Sequence, residues 1–254
     1  MRKIQNPKIT VITVVKNGMP YIEDSINSFY SQTYKNKELV VVCSRSTDGT
    51  SEYLNKNKKK IDKLIFDNKK LNKYESINLG IIKSTGKVIG VLHADDFFVN
   101  KNVLKKIASV HGKDKSIDLT YGNVLFCKRN NIKKISRYWK SKDYEKNLIN
   151  KGWMPPHTTL FVNKKIYNKI QYSNKYKISA DYEWILRVFM KKKYKITYIP
   201  EVLVKMQTGG ISNYSLSNIY DKTIEDLEVI KSFNMSSFAI IRKNLSKLPQ
   251  LIGL

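Results

Sequence analysis

Two adjacent carboxylates end an apolar segment of the sequence. The segment 88–97 has the composition of a buried strand until it reaches Asp95 and Asp96. In open α/β sheets, ligands bind at the carboxyl ends of the strands. Adjacent like charges raise each other's pKa unless a cation offsets them, so the pair favours a divalent-cation site. A solvated Asp-Asp turn that ends a strand is the alternative interpretation.

Strand and helix patterns alternate on the way to these acids. Short β-branched runs are followed by stretches with apolar residues at helical spacing, and polar turns separate the two. The alternation predicts an α/β sandwich with a largely parallel sheet. The predicted strands are 8–15, 39–43, 63–67 and 87–92, and the predicted helices are 21–32, 51–60, 74–83 and 100–111.

The regular alternation ends after the last of these helices. A pair of strands around a polar turn comes next, and a Pro-Pro break follows Met154. The second half therefore looks like architecture that is added to the same sheet. Here the predicted strands are 117–127, 132–138 and 158–162, and the predicted helices are 143–150, 180–191 and 220–233.

Composition limits the class of protein. The 254 residues are 41% hydrophobic and 11% aromatic, which is ordinary for a globular chain that can bury a sizeable core.

Cys43 and Cys127 are the two cysteines, and neither belongs to a Cys-x-x-Cys or Cys/His cluster, which predicts a reduced, cytoplasmic protein. The sequence shows neither a signal peptide nor a run of about 20 apolar residues, so we expect no membrane span.

The chain is strongly basic. The sequence contains 47 Lys and Arg residues and 21 Asp and Glu residues, which gives a formal net charge of +26. Such a charge attracts nucleic acid, anionic lipid headgroups or phosphorylated substrates. Many lysines lie in Asn- and Ile-rich surroundings that coding bias would also produce. No motif typical of nucleic-acid-binding proteins accompanies the charge, so we expect no nucleic-acid partner.

Four segments occur in a recognisable order. They are 9–17, 38–50 with its Ser-Thr-Asp-Gly-Thr turn, 78–86, and 94–96 with the two acids. Together they resemble the family 2 glycosyltransferases with a GT-A fold, and most of all the bacterial enzymes that build cell-surface polysaccharide. The resemblance covers about residues 8–212. It implies a Rossmann-like, mixed but mostly parallel sheet flanked by helices.

The resemblance also implies a division of the chain. Residues 1–212 would form the catalytic domain, with a nucleotide-sugar half over about 1–115 and an acceptor half over about 116–212. Residues 213–254 would form a helical, basic and amphipathic extension. Within it, 237–254 mixes apolar and cationic residues and would contact an anionic membrane surface, pack on the domain, or form a dimer contact.

The implied activity is an inverting transfer of a hexosyl or N-acetylhexosaminyl group. The donor would be a nucleoside diphosphate sugar, and the acceptor a saccharide or lipid-linked saccharide of a surface glycan. Asp96, with Asp95, would be the DxD-type element that ligates the Mn²⁺ or Mg²⁺ and so offsets the charge of the leaving diphosphate. A non-catalytic sugar-nucleotide-binding module of the same fold is the main alternative, and a basic nucleic-acid-binding protein is a weaker one.

The resemblance places two catalytic residues in the second half. Asp181 matches the Asp that removes the acceptor proton, with Glu183 as a substitute, although Ala180 stands where the family usually has Glu. An Asp that only places charge at a helix N-terminus is the alternative. His157 matches a His beside the reaction centre, against the alternative of a structural histidine.

The other two histidines have structural interpretations. His93, shortly before the acids, is predicted to be a packing residue. His111 is predicted to be a surface residue at a helix end.

Nucleotide recognition is where the sequence departs from the family pattern. A UDP-type donor is favoured, yet Cys43 stands where the family has the Asp that reads the base, and a thiol is a poor hydrogen-bonding group. Arg45 or backbone groups would compensate, while Asp48 is interpreted as a turn residue. The segment 207–212 would return a loop to the donor site, and a loop that only leaves the catalytic domain is the alternative. The predicted donor-binding residues are Val14, Lys16, Asn17, Cys43, Arg45, Lys73, Asn78, Ala94 and Asp95; for the lysines, plain solvation is the alternative.

Overall fold

The computed structural model describes residues 6–129, 131–191, 193–208, 216–236 and 238–245. Most of the segment 207–212, which was predicted to return to the donor site, and the end of the predicted tail from 246 lie outside the described residues. Within the described ranges, none of the helices combines the length and hydropathy that crossing a bilayer requires.

The first half is a parallel α/β unit. The strands β1 and β2 are buried along most of their length because β-branched and apolar side chains cover both of their faces, as expected for a parallel sheet with helices on each side. The strands pair in the order β3-β2-β1-β4. They are β1 (Ile9–Val15), β2 (Lys37–Ser44), β3 (Lys63–Asp67) and β4 (Val88–Val91), with helices α1 (Ile22–Tyr30), α2 (Thr50–Lys56) and α3 (Lys73–Lys83).

The second half extends the same sheet with mixed pairing. The full strand order is β3-β2-β1-β4-β8-β6-β9-β5, and β7 pairs with β6. The added strands are β5 (Asp96–Phe98), β6 (Leu119–Lys128), β7 (Asn131–Trp139), β8 (Phe161–Asn163) and β9 (Ile196–Thr208). The added helices are α4 (Val103–Lys113), α5 (Lys146–Asn150), α6 (Lys164–Tyr167), α7 (Ala180–Phe189), α8 (Leu216–Ser232) and α9 (Phe238–Leu245). The predicted fold class, a mixed and mostly parallel α/β sheet flanked by helices, is confirmed.

Two hydrophobic clusters cover the two faces of the sheet. Alternate residues of β1 supply them, because Val11 belongs to one cluster and Ile12 to the other. Trp184 of α7 is fully buried in the cluster that contains Ile12, where it stacks on Tyr167 and donates Nε1–H to the Ile170 carbonyl at 2.7 Å. Burying a side chain of this size stabilises the fold by roughly 2–3 kcal/mol. Helix α7 is thus held against the sheet.

Several local predictions differ from the structure. The helix predicted at 143–150 is reduced to α5, and the strand predicted at 158–162 is a 3-10 turn at His157–Thr159 followed by β8. Strands β5 and β9 were not predicted. β5 is only three residues long, which is too short for a local pattern, whereas β9 is rich in β-branched and aromatic residues that indicate a strand. The two strands pair with each other, and β9 also pairs with β6.

The prediction for His111 is wrong. Its side chain is buried, and Nε2 lies 3.3 Å from Thr120 Oγ1 of β6. Burial, and next the charge of Lys87, lower the imidazole pKa to about 4. The sequence already indicated that His111 is buried, since Leu104, Ile107 and His111 share one face of α4 at helical spacing.

Candidate active site

The two acids lie at the carboxyl end of β4, as the sequence predicts. β5 begins at Asp96, whose backbone pairs with Met206 of β9, so the sheet itself fixes this residue. The Asp96 side chain is buried, and its Oδ2 has no hydrogen-bond partner among the described residues. Burial, and then the charge of Asp95, raise the pKa of Asp96 well above its usual range. A buried carboxyl group in this state is suited to a cationic ligand.

Asp95 is held by a residue that the sequence analysis did not single out. Its Oδ2 accepts a hydrogen bond from an Arg129 guanidinium nitrogen at 2.8 Å. The same guanidinium lies over the Tyr21 ring, 4.2 Å from its centroid. Arg129 follows β6 and Tyr21 precedes α1, so this contact joins the two halves of the sheet beside the acids.

These residues fit a divalent cation that binds together with a diphosphate. Within the described ranges, no cluster of three or more His, Cys, Asp or Glu side chains could hold a metal by itself. Mg²⁺ is commonly bound by one or two carboxylates, with water and substrate phosphates completing its shell. Asp96 Oδ2, which lacks a partner among the described residues, would supply one such ligand, and the adjacent Asp95 would supply a second.

A row of contacts leads from the acids to the start of α7, and its first contact is between backbone groups. The His93 carbonyl accepts the Asp96 amide at 3.1 Å. The His93 ring continues the row, because its Nε2 lies 3.2 Å from His157 Nε2, and His157 Nδ1 lies 3.3 Å from Asp181 Oδ2. His93, which was predicted to be a packing residue, therefore also forms a hydrogen bond.

The carboxylate of Asp181 favours one tautomer of each histidine. An ionised carboxylate only accepts hydrogen bonds, so His157 Nδ1 must be the donor of its pair. In a neutral His157 ring, Nε2 is then the acceptor, and His93 donates its Nε2–H.

Electrostatics keep this row in the form that a base requires. Burial lowers the pKa of both imidazoles, and nearby Lys73 lowers them further, which leaves the rings neutral. Burial by itself would raise the pKa of Asp181, but the charge of His157, which is protonated at the low pH where Asp181 titrates, and the charge of Lys73 outweigh it. The net shift of the Asp181 pKa is downward, so its carboxylate is ionised at neutral pH.

Tyr74 supports Asp181 from α3. Its hydroxyl donates to the Ile178 carbonyl at 2.5 Å and lies 3.4 Å from Asp181 Oδ1. Burial, and next the charge of Asp181, raise the pKa of Tyr74, so the phenol stays protonated. An Asn72–Glu75 capping box fixes the start of α3 and therefore the position of this ring.

Glu183, the predicted substitute for Asp181, is engaged elsewhere. It lies one turn into α7, and its carboxylate accepts a hydrogen bond from Arg187 at 2.8 Å on the same helix. Asp181 is therefore the acid of this segment that meets the histidines.

The loops after β1 and β2 are bonded to each other. Asn17 takes a left-handed conformation (φ 51°), accepts a hydrogen bond from the Thr47 amide, and donates its own amide to Ser46 Oγ. The predicted donor-binding residues Lys16 and Asn17 are exposed on this loop pair, next to the half-buried Val14. Their loop is therefore held in a fixed shape.

Asp48 has the role in the turn that the sequence predicts. Its carboxylate accepts the Met19 amide at 2.9 Å and the Thr50 amide at 3.1 Å. These hydrogen bonds outweigh the effect of burial and lower the Asp48 pKa.

Two predicted nucleotide-binding residues differ in what they can contact. Cys43 is buried, with Sγ 3.3 Å from the Ser44 carbonyl, and burial raises its thiol pKa. Arg45, two residues further along, is exposed. A base bound at this edge would therefore meet Arg45 and loop backbone rather than the thiol.

Three other predicted donor-binding residues have contacts within the chain. The Asn78 carboxamide bonds both the amide and the carbonyl of Tyr172, so it fixes that loop. Lys73 is exposed, with Nζ 5.2 Å from the Tyr74 ring centroid. Ala94 is half-buried, packs against the core cluster that contains Val11, and precedes the acids.

Comparison with known proteins assigns the chain to a family. The sequence profile described as "Glycosyl transferase family 2" matches residues 10–195. The chain belongs to this family. An uncharacterized glycosyltransferase from Methanocaldococcus jannaschii is 26% identical over 91% of this chain and 80% of its own length. A PGL/p-HBAD biosynthesis glycosyltransferase from Mycobacterium tuberculosis is 25% identical over 93% of this chain and 88% of its own length.

Solved structures share the GT-A fold of this family 2 glycosyltransferase. The mannosyltransferase PcManGT from Pyrobaculum calidifontis, in complex with GDP-Man and Mn²⁺, superimposes with a TM-score of 0.66. It is 16% identical, and the match covers 92% of this chain and 66% of that one. Residues 1–349 of S. aureus TarS, in complex with UDP, give a TM-score of 0.65 at 17% identity and cover 92% of this chain and 68% of that one. Identities this low establish the fold alone.

The glycosyltransferase site includes residues that sequence reasoning missed. Arg129 and Tyr74 belong to no local motif, yet Arg129 contacts Asp95 from the turn after β6 and Tyr74 contacts Asp181 from α3. Asp67, at the end of β3, is buried and accepts the Lys69 and Leu71 amides, so it shapes the loop that leads to α3. For Asp67 the available signal was an Asp at the carboxyl end of a predicted strand.

Proposed function

We propose that this glycosyltransferase is metal-dependent and inverting, and that it moves one sugar from a nucleoside diphosphate sugar to a saccharide or lipid-linked saccharide of a surface glycan. One observation supports the proposal most directly. Asp96 has a buried carboxyl oxygen without a hydrogen-bond partner among the described residues, and its backbone amide bonds the carbonyl of His93, whose ring leads through His157 to the ionised carboxylate of Asp181. A cation-binding acid and a proton acceptor are the two groups that a displacement at a sugar carbon requires.

The reaction balances as a single displacement. The acceptor oxygen forms a bond to the anomeric carbon while the bond from that carbon to the phosphate oxygen breaks. The electron pair leaves with the nucleoside diphosphate, and the acceptor proton passes to an oxygen of Asp181. Attack opposite the leaving group inverts the anomeric configuration.

The donor side of the reaction depends on the loops and the acids. Asp96 and Asp95 would hold the cation, which when bound offsets the charge that grows on the leaving diphosphate. The exposed Lys16, Asn17 and Arg45 would contact the nucleotide.

The acceptor side depends on the start of α7. His157 Nδ1 lies 3.3 Å from Oδ2 of the Asp181 carboxylate. The other oxygen, Oδ1, has the Tyr74 hydroxyl at 3.4 Å and the adjacent Tyr182 amide at 2.9 Å. An oxygen of this carboxylate would receive the acceptor proton.

A UDP-type donor is part of the proposal. TarS is consistent with it, since its structures contain UDP or UDP-GlcNAc, whereas PcManGT contains GDP-Man. Buried Cys43 takes the place of the base-reading Asp, so base preference would depend on Arg45 and the loop backbone.

The decisive experiment is a panel of UDP-glucose, UDP-N-acetylglucosamine and GDP-mannose, each with Mn²⁺ or with EDTA, scored for release of nucleoside diphosphate. We expect one donor to be hydrolysed slowly with Mn²⁺ only, and not by Asp96→Ala. Asp24→Asn, which changes an exposed carboxylate on α1, is the matched control and should keep the full rate. Equal hydrolysis with EDTA contradicts metal dependence. No hydrolysis, together with no calorimetric binding of any donor, contradicts the donor-site assignment.

Association with the inner face of the cytoplasmic membrane is also part of the proposal. Phe238, Ile241 and Leu245 are exposed at helical spacing on α9, beside Arg242. Phe238→Ser with Ile241→Ser should reduce co-sedimentation with phosphatidylglycerol vesicles. The control is Tyr30→Ser, an exposed aromatic residue on α1. Equal sedimentation of both variants contradicts the membrane contact, and a loss of dimer mass in the α9 variant instead assigns this face to self-association.

A further inference from the structure

One carboxylate from α8 holds the backbone that leads into α7. Glu225 Oε1 accepts the Lys177 amide at 2.9 Å, and Oε2 accepts the Ile178 and Ser179 amides at 2.8 and 2.7 Å. Consecutive amides in a loop before a helix have no partner within that helix. Glu225 therefore supplies partners to the entrance of α7 from a position 46 residues beyond Ser179 in the chain.

The neighbouring residue Asp226 strengthens the same contact. Its Oδ1 accepts the Ser179 hydroxyl at 2.8 Å, and its Oδ2 lies 2.9 Å from Lys222 Nζ and 2.8 Å from Lys243 Nζ. Lys243, on α9, also lies over the ring of Tyr182, 3.4 Å from its centroid. Helices α8 and α9 thus both contact the first turn of α7.

The segment 177–179 is fixed from its other side as well. The Tyr74 hydroxyl of α3 donates to the Ile178 carbonyl and lies close to Asp181. The Ser179 carbonyl accepts the Glu183 amide, which is the first hydrogen bond of α7. The position of Asp181 therefore depends on a loop that α8 holds by its amides and α3 holds by a carbonyl.

We propose that Glu225, assisted by Asp226, is a positioning residue for the base Asp181, and that α8 is part of the catalytic apparatus although it lies outside the segment 10–195 that matches the family. The inference rests on the proposed function, because it assigns Asp181 the role of base. Glu225 touches neither substrate nor cation in this role. It acts by holding the backbone that carries Asp181.

Two physical arguments support the role. Hydrogen bonds to an ionised acceptor are shorter and stronger than neutral ones, and a single carboxylate here receives three of them. A displacement of a reacting group by about 1 Å can reduce a rate by as much as about 100-fold. Loosening 177–179 should therefore reduce turnover without removing a donor contact.

The first measurement is amide hydrogen exchange in the full chain. Glu225→Gln keeps the size of the side chain but removes its charge, and we expect faster exchange at 177–179. The matched control is Glu228→Gln, which changes an exposed carboxylate on the same helix. Unchanged exchange in Glu225→Gln overturns the proposal.

The second measurement separates positioning from a general loss of structure. With the donor that the unmodified protein hydrolyses, Glu225→Gln should reduce kcat at least about tenfold while the donor KM stays within about twofold. In an Asp181→Asn background, the same change should cause no further loss, because the group that it positions is absent. An equal loss in both backgrounds overturns the role.

Failure of the inference and failure of the proposed function give different results. Hydrolysis by the unmodified protein with an unchanged rate in Glu225→Gln overturns the positioning role alone. No hydrolysis of UDP-glucose, UDP-N-acetylglucosamine or GDP-mannose by the unmodified protein, together with no calorimetric binding of any of them, overturns both. Comparable melting temperatures of Glu225→Gln and Glu228→Gln would show that the measured rates are those of folded proteins. Glu225→Asp is a second variant, which keeps the negative charge and should recover part of the rate.

Discussion

Glu38 and Asp96 are buried carboxyl groups at opposite ends of the parallel strands. Glu38, near the start of β2, accepts hydrogen bonds from Thr10 and from the amide and hydroxyl of Thr85, and Lys63 Nζ lies 3.5 Å away. Burial opposes ionisation, but these hydrogen bonds outweigh it and lower the pKa of Glu38 to about 2. Asp96 has an oxygen without a partner among the described residues, and its pKa is raised.

The difference separates a structural acid from a functional one. Buried polar groups are almost always satisfied, so an unsatisfied carboxyl group at a sheet edge indicates a group that a ligand completes. The chain bonds both oxygens of Glu38, which therefore stabilises the fold. Among the described residues, no group bonds Oδ2 of Asp96, so this oxygen remains available to bind a ligand.

The largest expected effect is at the carboxyl ends of the strands. Asp181→Asn removes the proton acceptor, and we expect a loss of about 10²- to 10⁴-fold in kcat with donor affinity unchanged. Steady-state release of nucleoside diphosphate and calorimetric donor binding measure the two quantities. Glu38→Gln, assayed on folded protein, should keep the rate. A comparable loss of kcat in Asp181→Asn and Glu38→Gln would contradict the distinction between functional acids at the carboxyl ends of the strands and a structural acid at their amino ends.

The second prediction compares the stability of two isosteric variants. Glu38→Gln removes a fully bonded charge and should lower the free energy of unfolding by about 3 kcal/mol. Asp96→Asn removes a buried ionisable group that lacks a partner for one oxygen, so in metal-free buffer it should raise the free energy of unfolding. Urea unfolding of both variants checks this. A lower stability of Asp96→Asn would show that the chain does satisfy this carboxyl group.

The third prediction concerns acid and His111, which lies near the start of β4, at the same end of the strands as Glu38. Its folded pKa of about 4 is below the unfolded value, so the unfolded state binds the proton first and stability falls as the pH decreases through the interval between the two. From pH 8 to pH 5 we expect this group to contribute a loss of about 2 kcal/mol. The difference between the wild type and His111→Gln isolates it from the other titrating groups. Parallel stability curves would contradict the assignment.

The smallest expected effect is at His93, beside the functional acids. His93→Phe keeps a ring but removes the Nε2–H that His157 accepts, and we expect about a tenfold lower kcat. His93→Gln offers an amide donor and should recover part of the rate. Identical rates in the two variants would show that His93 only fills space.

Much of the fold could be predicted because the sequence patterns that indicate its strands and helices are local. The alternation of strands and helices up to residue 111 reflects side-chain periodicity, which depends only on near neighbours. The position of Asp95 and Asp96 at the end of a buried strand follows from the same pattern. The wrong prediction for His111 came from its place at a helix end, although its helical face already indicated burial.

The residue order was enough to predict the α/β class, the succession of motifs and the acidic residues of the site. It was not enough to predict which of these residues meet. Arg129 reaches Asp95, His93 reaches His157, and a carboxylate of α8 reaches the loop before Asp181. The partners in these contacts are 34, 64 and 46 positions apart, and the packing of the sheet and helices brings them together. No periodicity encodes such a contact, because each partner is locally an ordinary polar residue.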